Sequence, residues 1–312
     1  MSAAPLPSRE GGITIAALCD LYFQHYTGRD GALPQRLGWW RAQIGHVRLD
    51  ELSDDHVHDG LDLLAMGKAR FYAGKDAHDK PIFKAKGKPL SGSTLNRYTS
   101  AISSVITWAI RRRIAPKGFD HPVRRVELKD EGLPKTRFLS DEERDRLLLA
   151  CKASVWPRLY LATLLALTTG ARRGEMLALR WQDVDTVRRV VHVGRSKNGD
   201  PKVLPLVSAV VEQLEAFRGA PGGLVFPSRR NALTPMEFTT HWHDALKMAK
   251  VRAFRWHDLR HSCASYLVQQ GATLVQVADL LGHRQISMSH RYAHLAATDR
   301  AALVDRVMGQ LR

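Results

Sequence analysis

Apolar residues recur at helical spacing from Thr14 onward, and TIAALCDLYFQHY reads as an amphipathic helix starting there. The same period predicts helices around 34–45 and 53–66. STLNRYTSAISSVITWAIRRR is a stronger helix, capped by Ser93 and apolar at Leu95, Ile102, Ile106 and Ile110. Between these, GKARFYAGKDAHDKPIFKAKGKPLSG breaks the period with seven Lys/Arg against two Asp, and with three Gly and two Pro after Lys68. It reads as a long basic loop or a hairpin, either a functional element or a solvated insertion. The first domain is therefore a small helical bundle.

APKGFDHPVRRVELKDEGLPKTR has no apolar period and reads as a linker. FLSDEERDRLLLAC then opens a second domain with a capping box, Ser140 paired with Glu143. A mostly apolar helix over about 156–168 stops at Gly170. VRRVVHVGRSKNGDPKVLPL alternates, turns at Asn-Gly and alternates again, which predicts a β-hairpin. Helices follow around 207–217, 235–250, 258–270, 274–281 and 287–294, with a last one near 298–311. The expected organisation is a flexible tail (1–12), a helical domain (13–120), a linker (121–136) and a second domain (137–312). The fold class is mainly α with a small antiparallel β-sheet.

Composition narrows the function. A chain of 312 residues with 44% hydrophobic content folds rather than staying disordered. The longest apolar run, LYLATLLAL, falls well short of the ~18 residues of a membrane span. MSAAPLPSREGG lacks the basic start and apolar core of a signal peptide, so the cytoplasm is the expected compartment and no membrane partner is implied. Cys19, Cys151 and Cys263 are odd in number and far apart, which suggests neither a disulfide framework nor a zinc knuckle. The formal charge is +16, and both halves share it: 21 basic against 15 acidic residues over 1–136, and 26 against 16 over 137–312. Two basic domains fit one long polyanion touching both better than a local patch, although basic proteins are also often merely soluble.

The candidate chemistry lies in the second half. In TTGARRGEMLALRW, Gly170 ends one helix and Arg172 stands at the mouth of the next, where free N–H groups favour an anion. Glu175, one turn on, can hold the arginine's fork, although such a pair is usually just exposed. Lys197 sits at the hairpin tip, solvated or reaching into a DNA groove. HDLRHSCASYLVQQG sets His257 and Arg260 three apart, on one helical face. LLGHRQISMSHRYAH adds His283 and Tyr292. These side chains suit a phosphate. HDLRH also has the outline of a zincin motif, with Asp258 in place of Glu and His241 and His243 as further ligands. ASYLVQQGATLVQVADLLG reads like the helix-turn-helix of a non-catalytic DNA-binding protein.

The order Gly-x-Arg-x-x-Glu, hairpin lysine, His-x-x-Arg, Gly-His and Arg-Tyr-x-His resembles the tyrosine recombinase family, the phage integrases and Xer-type recombinases. The resemblance covers 137–312 and extends more weakly over the helical first domain, which looks like the family's core-binding domain. It implies a site-specific recombinase with Arg172, Lys197, His257, Arg260 and His283 around a phosphate, Tyr292 as nucleophile, and Glu175 and His294 in support. Lys84, Lys86, Lys88, Arg97, Arg111 and Arg112 are the candidate DNA contacts of the first domain. The resemblance further implies a bacterial or phage-encoded protein working on duplex DNA with paired sites. Four copies would clamp two sites and pass through a Holliday junction, with a directionality factor as a further partner. Neither a metal nor a cofactor is required. A type IB topoisomerase shares the chemistry but not the pairing of sites. Arg173 and Gly174 depart from the usual pattern, as does His121-Pro122, where the family often has Asn-Pro. Helices beginning near Thr14 leave no room for the arm-binding domain of large phage integrases. LAATDRAALVDRVMGQLR carries an apolar stripe, Leu295, Ala302, Leu303, Val307 and Leu311, which the resemblance docks on a neighbouring copy.

Overall fold

The computed structural model describes residues 12–75, 81–132, 137–194, 201–283 and 285–299, with 304, 305, 308 and 309; of 69–75, 81, 83, 86 and 296–299 it describes the backbone alone. The chain divides into two compact units, 1–134 and 135–312.

The first unit packs α1 (Ile15–His25), α2 (Leu33–Ile44), α3 (Asp54–Met66) and α4 (Gly92–Arg111) around Leu18, Leu37, Trp40, Ile102 and Ile106. Thr14 caps α1 as its sequence suggests. The basic insertion is an antiparallel hairpin of β1 (Lys68–Lys75) and β2 (Pro81–Pro89). Two expectations need correction. The cap of α4 is Ser91, not Ser93: its hydroxyl accepts from the Thr94 N–H from an extended backbone, whereas Ser93 already lies within the helix. Ile110 lies at the surface, and Val105 and Ala109 fill the buried stripe instead.

The linker assignment also changes. Ala115, His121, Val123 and Val126 are buried in the first unit's core, around a 3₁₀ turn over Pro122–Arg125. Asn96 accepts from the Lys129 N–H and donates to the Lys129 carbonyl and to Glu131, so the chain through 131 is fastened to α4. One 3₁₀ turn is too short to show a period, so a packed segment reads as a loop.

In the second unit, α5 (Asp141–Lys152) starts at the expected Ser140–Glu143 capping box and packs on α6 (Leu159–Thr169). The short α7 (Arg173–Leu177) follows, then a sheet in the order β3 (Val184–Asp185), β4 (Val190–Val193), β5 (Lys202–Pro205). The tip of the β4–β5 hairpin, with Lys197, lies outside the described residues. Among the described residues, four α-helices follow: α8 (Ser208–Ala216), α9 (Thr239–Met248), α10 (Asp258–Gln269) and α11 (Leu274–Leu281). The expected α-helix over 287–294 is instead a 3₁₀ run, Ile286–Asp299, lying on α10 and α11. Most of the segment expected as a final helix falls outside the described residues, as do the residues before 12 and the Lys86 side chain. Cys19, Cys151 and Cys263 are buried free thiols. Among the described residues no helix is long and apolar enough to cross a membrane.

Candidate active site

The site forms where the C-terminal ends of α6 and α11 meet. Gly170 ends α6 with φ +64°, and a Cβ there would stand 2.2 Å from Leu281 Cδ2. Only glycine allows both the turn and the approach. Arg260 fills the junction, donating Nη1 to the Gly170 carbonyl (2.7 Å) and Nη2 to the Leu281 carbonyl (2.6 Å). A cation at two helix C-termini is well placed electrostatically, and the contacts fix the plane of its fork. Burial, reinforced by nearby Arg172, pushes the Arg260 pKa down to about 10, so it remains charged at neutral pH.

Arg172 is the N-cap of α7, and Glu175 closes back on it. The Arg172 backbone N–H donates to Oε2 (3.0 Å) and its Nη1 to Oε1 (2.7 Å). The helix mouth that suggested an anion site is therefore already occupied by the chain's own carboxylate. The Lys202 Nζ lies 2.7 Å from the same Oε2. Burial alone would raise the Glu175 carboxyl, but Lys202 and Arg172 outweigh it and hold it below the usual range. Burial lowers Lys202, with Arg260 and Arg172 acting in the same direction and Glu175 opposing.

Both histidines expected at the phosphate border this cluster. His257 is the N-cap of α10, at the helix start rather than on its face, and is held below its ordinary pKa by partial burial and Arg260. His283 follows Gly282, whose φ of +67° ends α11. The His283 N–H reaches back to the Ala278 carbonyl (2.8 Å), and its Nδ1 pairs with Ser289 Oγ (2.7 Å). Burial, then Arg260 and Arg172, lower its pKa to about 4.

Tyr292 is only 1% exposed, within a small apolar cluster of Ala264, Val268, Val277 and Leu281. Its hydroxyl lies 2.6 Å from His261 Nδ1. Burial and then the neighbouring His257 lower His261 to about 4, while burial raises Tyr292 against Arg291 and Arg260. Both partners are neutral at pH 7, and one hydrogen bond joins the phenol oxygen to Nδ1. In this conformation the phenol's partner is His261.

The structure thus gathers Arg172, Glu175, His257, Arg260, His283 and Tyr292. His294 is exposed, and among the described residues it makes none of the hydrogen bonds that shape the cluster. Lys84, Lys88, Arg97, Arg111 and Arg112 are all exposed in the first unit. The alternatives lose their parts. Asp258 is buried and engaged by Arg255 (2.8 Å), while His241 faces Trp156. Among the described residues, no three His, Cys, Asp or Glu side chains gather as a metal site. Residues Asp258 through Ser265 of α10 are all buried, which makes it a core helix.

The model of the Phage integrase family matches residues 137–299. This chain belongs to that family, the tyrosine recombinases. The integrase of Salmonella phage P22 is 26% identical over 302 residues, spanning 88% of this chain and 74% of that protein. A shufflon-specific DNA recombinase of Escherichia coli is 29% identical over 237 residues, covering 74% of this chain and 58% of that protein. Tyrosine recombinase XerC of Mycobacterium sp. (strain KMS) is 29% identical over 69% of this chain and 76% of its own length. The Tn1549 transposon integrase, solved with a circular intermediate DNA, superposes with a TM-score of 0.70 at 16% identity, over 93% of this chain and 99% of that one. A lambda integrase tetramer bound to a Holliday junction gives 0.64 at 17% identity, over 91% of this chain and 78% of that one. At these identities the structural likeness is one of fold.

Within this tyrosine recombinase, His261, Lys202 and Ser289 are polar side chains of the site that the motifs did not assign to it. His261 had a signal: it follows Arg260 directly, inside the same HDLRH run. Lys202 had one too, since it shares a strand face with the buried Leu204, and a lysine on an inward face needs a partner.

Proposed function

We propose that this protein is a site-specific recombinase whose Tyr292 attacks a DNA phosphodiester, and that the clustered side chains serve that reaction. Attack gathers negative charge on the two non-bridging oxygens. Arg172 and Arg260 would clamp them, and His257 and His283 would add hydrogen bonds that tighten as the charge grows. The tyrosine oxygen bonds to phosphorus as its proton passes to His257, the bond to the 5′-oxygen breaks, and that oxygen takes a proton from Lys197. The 3′-phosphotyrosine keeps the bond energy, so attack by another strand's 5′-hydroxyl needs no ATP. Four copies on paired duplex sites would exchange strands through a Holliday junction, in the cytoplasm and with a directionality factor where one is needed.

The observation that carries this reading is that two arginines, each braced within the protein, lie close enough for Arg172 to lower the Arg260 pKa, with His257 and His283 beside them. The phenol must leave its hydrogen bond to His261 before it attacks, so DNA engagement is expected to turn the Tyr292 segment. Tyr292→Phe keeps the ring and removes the nucleophile. It should bind DNA as the unsubstituted protein does and yield no protein–DNA adduct on a nicked suicide substrate. An adduct in this variant would assign the attack to another residue, and strand exchange between two sites separates a recombinase from a relaxing enzyme.

A further inference from the structure

Glu175 is held from three sides, by the Arg172 backbone N–H, the Arg172 fork and the Lys202 ammonium. The carboxylate and Lys202 are both largely out of solvent, their side chains 7% and 13% exposed. A carboxylate facing only Arg172 would neutralise that arginine and blunt its pull on a phosphate. With two cations around one anion, a net positive charge remains to face outward. The two hydrogen bonds from Arg172 tie the direction of its fork to the carboxylate, and the ammonium stands 2.7 Å behind it.

Lys202 has a second attachment. Its Cδ lies 3.4 Å from where a Cβ on Gly282 would stand, so its stem rests against the turn that presents His283. The residue begins β5, on the strand that returns from the Lys197 tip. One side chain therefore touches both the support of Arg172 and the turn beside His283, from the strand of the hairpin that carries Lys197.

We propose that Lys202 is a positioning residue of this active site, acting through Glu175 to aim Arg172 and keep its charge available to the DNA phosphate. This rests on the recombinase reading above. Lys202 does not touch the phosphate, so its removal should slow cleavage rather than weaken DNA binding.

The test uses the full chain on a nicked suicide substrate, at saturating protein, with Lys202→Met, Lys202→Gln, Lys202→Arg, Glu175→Gln and the Lys202→Met/Glu175→Gln pair. Misaiming a clamp by a fraction of an ångström to 1 Å costs up to about a hundredfold. Lys202→Met and Lys202→Gln should each slow adduct formation by about tenfold to a hundredfold, with half-site affinity within about twofold. Lys202→Arg should restore most of the rate. The double variant should be no slower than the slower single, because both act on one contact. Sulfur at the bridging 5′ position should not rescue Lys202→Met. Rescue by sulfur would make Lys202 the proton donor itself, and multiplicative losses would show that it does not act through Glu175. Either result overturns the proposal. Thermal melting of the same proteins gives a readout independent of cleavage: additive shifts would also break the pairing. If the unsubstituted protein forms no Tyr292-dependent adduct, the recombinase reading fails instead, and the melting cycle still decides whether Lys202 and Glu175 are coupled.

Discussion

His261 and His283 are both held neutral by their surroundings, at about 4 against 6.5 in an unfolded chain. As pH falls below 6.5 the unfolded chain takes up protons that the folded site refuses until about 4. The stability these rings contribute is whole above 6.5 and is lost across that window. Melting temperature of the DNA-free protein should fall between pH 7 and pH 5, and His283→Gln should flatten the fall. An unchanged slope in that variant would remove His283 from the account. The His261 contact has its own measure. Tyr292→Phe keeps the buried ring and loses one hydrogen bond, so denaturant unfolding should show a loss of about 0.5–1.5 kcal/mol. A gain in stability would mean that the phenol is strained where it lies. At this scale the sequence was partly legible. Arg172, Glu175, His257, Arg260, His283 and Tyr292 stand out because their types and order match a phosphate's needs. What ties them together did not stand out, because the Lys202–Glu175 pair joins two distant segments and the Tyr292–His261 bond depends on how the 3₁₀ run lies on α10.

Elements whose ends are marked by local chemistry were legible, and those shaped by packing were not. The Ser140–Glu143 box starts α5 where its residues say it should, and Gly170 stops α6. Ser93 and Ser91 are equally good caps on paper, and only the backbone geometry chose between them. The 115–131 segment looked like a linker because its buried residues are dispersed among charges and prolines. The 3₁₀ run looked like an α-helix because Tyr292 and Leu295 keep a helical interval while packing decides the winding. Gly170 gives the sharpest test at this scale. Alanine there meets both a left-handed φ and Leu281, and overpacking of this kind costs about 1–3 kcal/mol. Because the same junction seats Arg260, Gly170→Ala should also slow adduct formation, read alongside the melting curve. Loss of stability with full cleavage activity would show that Arg260 tolerates movement of its two carbonyl acceptors.

The charge of the whole molecule was legible from composition, whereas its assembly is not written in any one chain. With +6 over residues 1–136 and +10 over 137–312, DNA affinity should fall steeply with salt. Replacing Lys84, Lys88 and Arg97 with alanine should shallow that dependence without changing adduct formation at saturating protein. An unchanged salt slope would remove these side chains from the DNA contacts. Assembly calls for a different experiment. In the described part of the C-terminal segment, Val304 and Met308 are 57% and 55% exposed, an apolar pair four residues apart with water on it. They are not part of the stripe: of its residues, Leu295 packs partly buried against the Tyr292 cluster, and Ala302, Leu303, Val307 and Leu311 lie outside the described residues. Apolar residues at helical spacing from Ala302 to Leu311 call for a buried partner, either the chain's own second unit or a neighbouring copy. Truncation after Ala297 separates the two. Docking on a neighbour leaves melting temperature and single-site binding intact and abolishes cooperative complexes and strand exchange. Docking on the chain's own second unit lowers the melting temperature and weakens single-site binding as well. Native gel shift across protein concentration, read beside melting and a two-site recombination assay, distinguishes these outcomes. A truncated protein that still assembles cooperatively and recombines would show that this stripe does not link the copies.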